Sequence, residues 1–593
     1  MNRKSLLGLM LCAGIGLVSL GQVGFSADEK ADKAKAKAKQ KEQRLAAKKL
    51  ADSKKVEDDK KAEELARKEA EAKRVAAEKI QKDREAKGEA VEKFKPAKIG
   101  AAKDAVAVAK FIDSQVAAKL ATEKVPASPT STDEEFLRRV FLDITGVIPT
   151  AEQSKAFLDS KAADKRAKLI DELLESPNYA RHRADLWMNL LVQKTSDNRR
   201  VNFESLRAWL DEQFASNKPW DKIVTEIVTS TGEQDKNPAV GFYLSNNTVD
   251  KMTDEAAKAF LGVQLQCAQC HDHKFNDWKQ TEYWAMAQFF MKVQVGGLKK
   301  DGTPGIQETP RVVRNKMNPL PESAKAVDAK FLQGDSPALA KTEPYRPVLA
   351  KWMTAPTNPF FAKAMANRVW SEFFGRGIVN PVDDMVGQNL PSHPELLTAL
   401  AADFAANGFD VKHLVRGICN SQAYQRSSKA VAGNESAAPH LYAKATVKVL
   451  SPEQLFDSLA AVTKFQDSAA KGREKGANMK YGPQGARERF VTFFLAGAEM
   501  VSTVDYEAGI PQALKLMNSK QTGSANPQIV RNVVGTARGT EALEKIYLAA
   551  LSRRPTANEI ERLSKYVGAG LPQDAIGDVL WAVLNSSEFT LNR

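Results

Sequence analysis

The chain predicts an all-α (mainly helical) protein of two helical domains, and three observations carry that expectation. Apolar residues recur at helical spacing through most of residues 104–593. Ser, Thr and Asp stand before those runs, where helix N-caps belong. Strand signals are sparse, and no internal repeat marks a solenoid.

The N-terminus comes first. Arg3 and Lys4 precede an apolar stretch, Leu6–Leu20, too short to span a bilayer comfortably, and Gly24-Phe25-Ser26 offers a cleavage site before Ala27. Residues 1–26 are therefore expected to be a secretory signal peptide, with an uncleaved anchor as the alternative. The expected location is exported, periplasmic or cell-envelope associated.

Residues 27–103 are rich in Lys, Ala and Glu. Leu45, Leu50, Val56, Leu65 and Val75 keep no heptad spacing, which disfavours a coiled coil. Strong helix formers and mixed charges predict an extended, solvated spacer helix, frayed in part. Electrostatic contact with an anionic envelope polymer is its sharper alternative. The formal charge of +14 has its largest share here: residues 27–100 hold 24 basic and 17 acidic side chains, against 61 and 56 in the rest of the mature chain. The basic balance thus describes a tail, and no nucleic-acid-binding signature accompanies it.

The first domain is expected at 104–297. Thr132 caps a helix carrying Phe136, Leu137, Val140 and Phe141, and Thr150 caps the next after a break at Gly146–Pro149. Asp164–Leu174 is amphipathic and stops at Ser176-Pro177. Phe203–Phe214, Trp220–Val228 and Asp254–Leu261 continue the pattern, and Thr281 is expected to cap a further segment. Prolines at 304, 310, 319, 321, 337 and 344 punctuate 298–345, which reads as a linker or irregular loop. Helical patterning resumes in a second domain, 346–593, through Phe360–Phe374, Pro394–Asn407, Val411–Gln422, Pro452–Thr463, Thr540–Ser552, Ala557–Val567 and Ile576–Phe589.

Chemistry concentrates at Cys267-Ala268-Gln269-Cys270-His271, in a chain with only 4 Cys and 6 His. Two thiols three positions apart, followed by an imidazole, suit covalent attachment of haem c: the thiols add to the vinyl groups and His271 ligates the iron. Met286 and Met291 are candidate distal ligands, His182 a long-range one. Trp278, Trp284, Tyr283 and Phe290 would suit a flat porphyrin and equally an ordinary core. Zinc held by Cys267, Cys270, His271 and His273 is the main alternative, though four ligands within seven residues strain a tetrahedral site. A redox-active disulfide is another. Cys419 lies in an apolar context and is expected to be a buried small hydrophobe. Asp383, Asp384 and Glu372 read as solvated or capping carboxylates, and Ser392-His393-Pro394-Glu395 as a helix start.

Several segments together resemble a family of secreted, cytochrome-like planctomycete proteins. In the first domain the resemblance rests on Phe136-Leu137-Arg138-Arg139-Val140-Phe141-Leu142-Asp143-Ile144-Thr145-Gly146, Leu174-Glu175-Ser176-Pro177-Asn178-Tyr179 and Gln266–Phe275. In the second it rests on Asn358–Ala362, Asn367-Arg368-Val369-Trp370, Phe374–Val379, Pro391–Leu397, Ser421–Ser428 and Trp581–Phe589. The resemblance implies two domains of unknown function, an exported protein and cytochrome-like use of Cys267, Cys270 and His271. The chain departs from the pattern at Asn276-Asp277-Trp278, where an Asp-Pro pair is common. The functional expectation is extracytoplasmic electron transfer or redox chemistry with a redox partner protein. A non-redox, envelope-associated binding protein with a structural metal or a loop-stabilising Cys/His cluster is the alternative.

Overall fold

In the computed structural model the chain divides into two units, Met1–Ala90 and Val91–Arg593. The structure describes residues 99–593 apart from 102, 193–201, 275, 277, 298–301, 314–319, 341, 387–388, 466–484, 496–509, 519–526 and 568–572. The expected signal peptide and nearly all of the spacer lie outside the described residues. The protein is mainly α-helical.

Local side-chain chemistry starts the helices. Helix α1 (Ala105–Glu123) begins on Asp104, whose carboxylate accepts from the Ala107 N–H. Thr132 caps α2 (Asp133–Thr145), which ends at Gly146 with φ +69°. Thr150 and Gln153 form a reciprocal capping box on α3 (Ala151–Asp159). After α4 (Lys165–Leu174), Ser176-Pro177 does two jobs. It stops α4, as expected, and also opens α5 (Pro177–Leu191), with Ser176 as cap and Pro177 at the first helical position. The series continues through α6 (Phe203–Ala215), α7 (Trp220–Thr229), α8 (Gly241–Ser245) and α9 (Val249–Ala256). A wider π-type turn, Ala257–Leu261, follows α9 and is closed by Gly262 in the left-handed region. Helix α10 (Gln280–Ala287) does not start on Thr281. Its N-cap position is Lys279, whose N–H donates to Glu282, so Thr281 lies in the first turn.

The 298–345 stretch carries structure that its prolines hide. Pro304–Glu308 is the central strand of a three-stranded antiparallel sheet, paired with Val293–Gly297 on one side and Gly232–Glu233 on the other. Val295 and Gly232 both oppose Ile306, which is fully buried. Phe331 stacks between Phe289 and Trp352, with ring centroids at 5.3 and 4.8 Å. Two- and five-residue strands rich in Gly and Pro are too short to show alternation.

After α11 (Glu322–Lys325) and α12 (Arg346–Met353), the larger core is completed by α13 (Phe361–Phe374), α14 (Pro394–Ala406) and α15 (Val411–Asn420). This core contains residues from Ile99 to Ala443, so it draws on both sides of 298–345. At its centre Trp187 stacks on Phe260 and lies 4.1 Å, centroid to centroid, from Trp220. The Trp220 N–H donates to the Phe409 carbonyl at 3.1 Å, and the Met385 N–H to that of Gly262 at 2.8 Å. Cys419 is fully buried here, as its apolar context implies.

A second core gathers Leu450, Leu455, Phe456, Ile546, Leu580 and Phe589 from the C-terminal helices, with Leu142 and Ile148 reaching in from α2 and the turn after it. No described helix is long and apolar enough to cross a membrane. Where α15 crosses α1, Gly417 permits close approach: a Cβ there would sit 2.5 Å from Cγ1 of Val108. Gly417→Ala is expected to lower stability by about 1–3 kcal/mol through overpacking, measured by urea unfolding.

Candidate functional site

Residues 266–271 form a shelf at the protein surface. After Gly262 turns the chain, the Ala268 N–H donates to the Leu265 carbonyl at 2.8 Å in a short 3-10 turn, Gln266–Gln269. Ala268 points inward and is fully buried. Cys267 and Cys270 point outward as free, exposed thiols. The carbonyl of Gln269 is held from below by two donors, the Trp284 indole N–H at 3.0 Å and the Gln280 side-chain amide at 3.1 Å. A rigid α10 thus carries a solvent-facing pair of sulfurs.

His271 follows on the same exposed turn. Its Nδ1 lies 2.7 Å from the carbonyl oxygen of Asp272. A carbonyl only accepts, so the bond assigns the proton to Nδ1 and leaves the Nε2 lone pair uncommitted. Asp272 is itself fixed: one carboxylate oxygen accepts from the Gln280 N–H at 2.9 Å and the other faces Lys279 at 3.3 Å. The Gln280 N–H, more than Lys279, holds that carboxyl below its usual range. These residues fit haem c in the two respects that matter first. The thiols are accessible, and the imidazole presents the nitrogen that an axial ligand needs while its other nitrogen is anchored.

The remaining residues expected at the site are placed differently. Met286 and Met291 are buried in the larger core, as are Trp278, Tyr283, Trp284 and Phe290. The aromatic and Met-rich surround is ordinary core packing that backs the shelf. The His273 N–H donates to the Trp278 carbonyl at 2.8 Å. Burial first, and then neighbouring His271, push the His273 imidazole below its usual range. Among the described residues, no group of three or more His, Cys, Asp or Glu side chains converges so as to hold a metal ion.

His182 belongs to other surroundings, on α5. It is buried, beneath Gly146, where a Cβ would lie 2.5 Å from Nδ1. Burial, then the charges of Arg183, Lys448 and Arg487, hold its imidazole down to about 3, so it is neutral. It lines a polar cleft of about 650 Å³, together with Asp185, Arg207, Asp457, Arg487 and Phe203. Glu372 is not a solvated carboxylate: it pairs with Arg183, whose side chain is wholly buried. Asp383 is fully buried, accepting from the Gln264 amide at 2.7 Å and lying 3.8 Å from Lys258. No local pattern marks such groups, because their partners lie more than a hundred residues away.

No curated protein and no solved structure matches the chain. Residues 111–295 match the family model described as PSCyt2, protein of unknown function (DUF1549). Residues 345–567 match that described as PSD1, protein of unknown function (DUF1553), so the chain carries two domains of unknown function.

Proposed function

We propose that the protein is an exported, monohaem c-type cytochrome-like electron carrier; its resemblance to secreted planctomycete proteins implies export and cytochrome-like use of Cys267, Cys270 and His271, and electron transfer is the reading added here. The observation that carries this reading is the outward presentation of Cys267, Cys270 and His271, with the His271 proton held on Nδ1 by the Asp272 carbonyl. Haem c would supply one-electron redox chemistry at iron. The chain's own contribution is positional. Ala268 and the doubly held Gln269 carbonyl anchor the turn, the two thiols stand ready for thioether formation, and Asp272 fixes the imidazole orientation. An exposed attachment turn also suits electron exchange with a docked partner protein, because exchange requires close approach to the cofactor edge.

The test is direct. The full chain, produced with cytochrome c maturation machinery, is expected to carry covalent haem that survives denaturation and shows the reduced pyridine adduct of a bis-thioether haem. Cys267→Ala should leave a single thioether, shift that band to longer wavelength and lower the haem yield. A colourless wild-type protein, or a Cys267→Ala spectrum identical to wild type, overturns the proposal.

A further inference from the structure

We infer that Lys448 and Asn592 become joined by an intramolecular isopeptide bond, formed by the folded chain itself with Asp143 as proton carrier. The two residues stand directly opposite each other in the antiparallel pair of strands Lys448–Val449 and Leu591–Asn592. Opposed residues project from the same face of such a pair, close enough for their side chains to meet. The Leu450 N–H donates to the Thr590 carbonyl at 3.0 Å and continues the register. Both side chains reach one atom. Lys448 Nζ and Asn592 Nδ2 each lie 2.7 Å from Oδ1 of Asp143, on α2. The Tyr424 hydroxyl donates to the other carboxylate oxygen at 2.9 Å and fixes the group. Nζ also donates to the carbonyls of Glu372 and Phe373, at 2.7 and 3.3 Å.

A buried ion pair alone does not account for this arrangement. A carboxylate only accepts, so Asn592 turns its amide nitrogen toward Asp143 and its carbonyl oxygen away. That oxygen is buried without a hydrogen-bond partner. Asp143 and Asn592 are buried and the Lys448 side chain is only 13% exposed, which keeps water from competing for the amide carbon. The step balances without a co-reactant. Nζ forms a bond to Cγ of Asn592, and the Cγ–Nδ2 bond breaks. Two protons leave the Lys448 ammonium group. Asp143 Oδ1, in contact with both nitrogens, passes them to Nδ2, which departs as ammonium, and Asp143 ends as it began. A cavity of about 40 Å³ bordered by Asp143, Lys448 and Asn592 has room for a leaving molecule the size of water. The chain between the linked residues carries Leu450, Phe456, Ile546, Leu580 and Phe589, so the bond closes the second core within a covalent loop. The Cys–His turn contributes no residue, and the inference stands independently of the haem proposal.

The test uses the full chain, denatured, digested with trypsin and read by mass spectrometry. One branched peptide is expected, joining the Lys448 and Asn592 segments, lighter by one ammonia than the two together and uncleaved after Lys448. Lys448→Arg and, independently, Asn592→Ala should each abolish it. Asp143→Asn keeps the shape of the side chain but removes the proton carrier, and should leave the two segments unlinked. The wild-type digest decides the question even where a variant fails to fold. The inference is overturned by two separate peptides ending at Lys448 and Arg593, by a link that loses water and runs from Lys448 to Asp143, or by a link at full yield in Asp143→Asn.

Discussion

Arg183→Met is expected to destabilise the folded chain by about 3–5 kcal/mol, read as a lower urea midpoint in tryptophan fluorescence. The guanidinium is wholly buried, and its pairing with Glu372 joins α5 to α13 across 189 residues. Removing the cation leaves the Glu372 carboxylate, itself only 10% exposed, without its counter-charge. Arg183 nevertheless leaves Nε and Nη2 without hydrogen bonds, so the pair is incompletely satisfied even when intact. The double replacement, Arg183→Met with Glu372→Met, should therefore recover most of the loss, because an apolar pair of similar volume asks for no solvation. A single substitution costing less than about 1 kcal/mol, or a double variant as unstable as the single, would show that the pair is not what joins these helices.

Acid is expected to weaken the fold from about pH 6.5 downward, and His182 should account for much of the slope. Its imidazole titrates near 6.5 when unfolded and is held down to about 3 in the fold. Between those values the unfolded chain binds a proton that the folded chain refuses, so stability is fully present above 6.5 and is lost as pH falls toward 3. The loss from this one group is about 2 kcal/mol at pH 5 and about 4 kcal/mol at pH 3. His393 acts in the same direction, since burial, then Lys119 and His440, take it down to about 4. Unfolding followed from pH 7.5 to 4.5 should thus be shallower in His182→Gln than in wild type, with the His393 part retained. Parallel profiles would place His182 in water.

What could be read from the chain follows from how local its causes are. Thr132 and Thr150 announce their helices because a cap acts within one turn, and the structure bears them out. The Cys–His turn was legible for the same reason: its five residues are contiguous. Its support was not, since the Trp284 donor to Gln269 lies fifteen residues on and reads in sequence as one more core aromatic. The strand Pro304–Glu308 was hidden by prolines that argue for a loop. Glu372, Asp383 and His182 were unreadable because burial, not residue type, decides what they do, and burial is set by helices brought together from distant parts of the chain.

Arg138 of α2 imposes an order of events on folding. Arg138 donates to the carbonyls of Ala550 and Phe589, and Arg139 to that of Arg593, across separations of 412 to 454 residues. Arg139 also donates to Glu135 on its own helix and to the carbonyls of Tyr424 and Arg426, whereas every acceptor of the almost wholly buried Arg138 lies at 550 or beyond. At roughly 5–20 residues per second, a ribosome needs on the order of tens of seconds to supply them. For that interval α2 can form but cannot be buried without leaving the Arg138 guanidinium unmet. The C-terminal acceptors thus act as a timer, and final closure of the second core waits for nearly the whole chain to emerge.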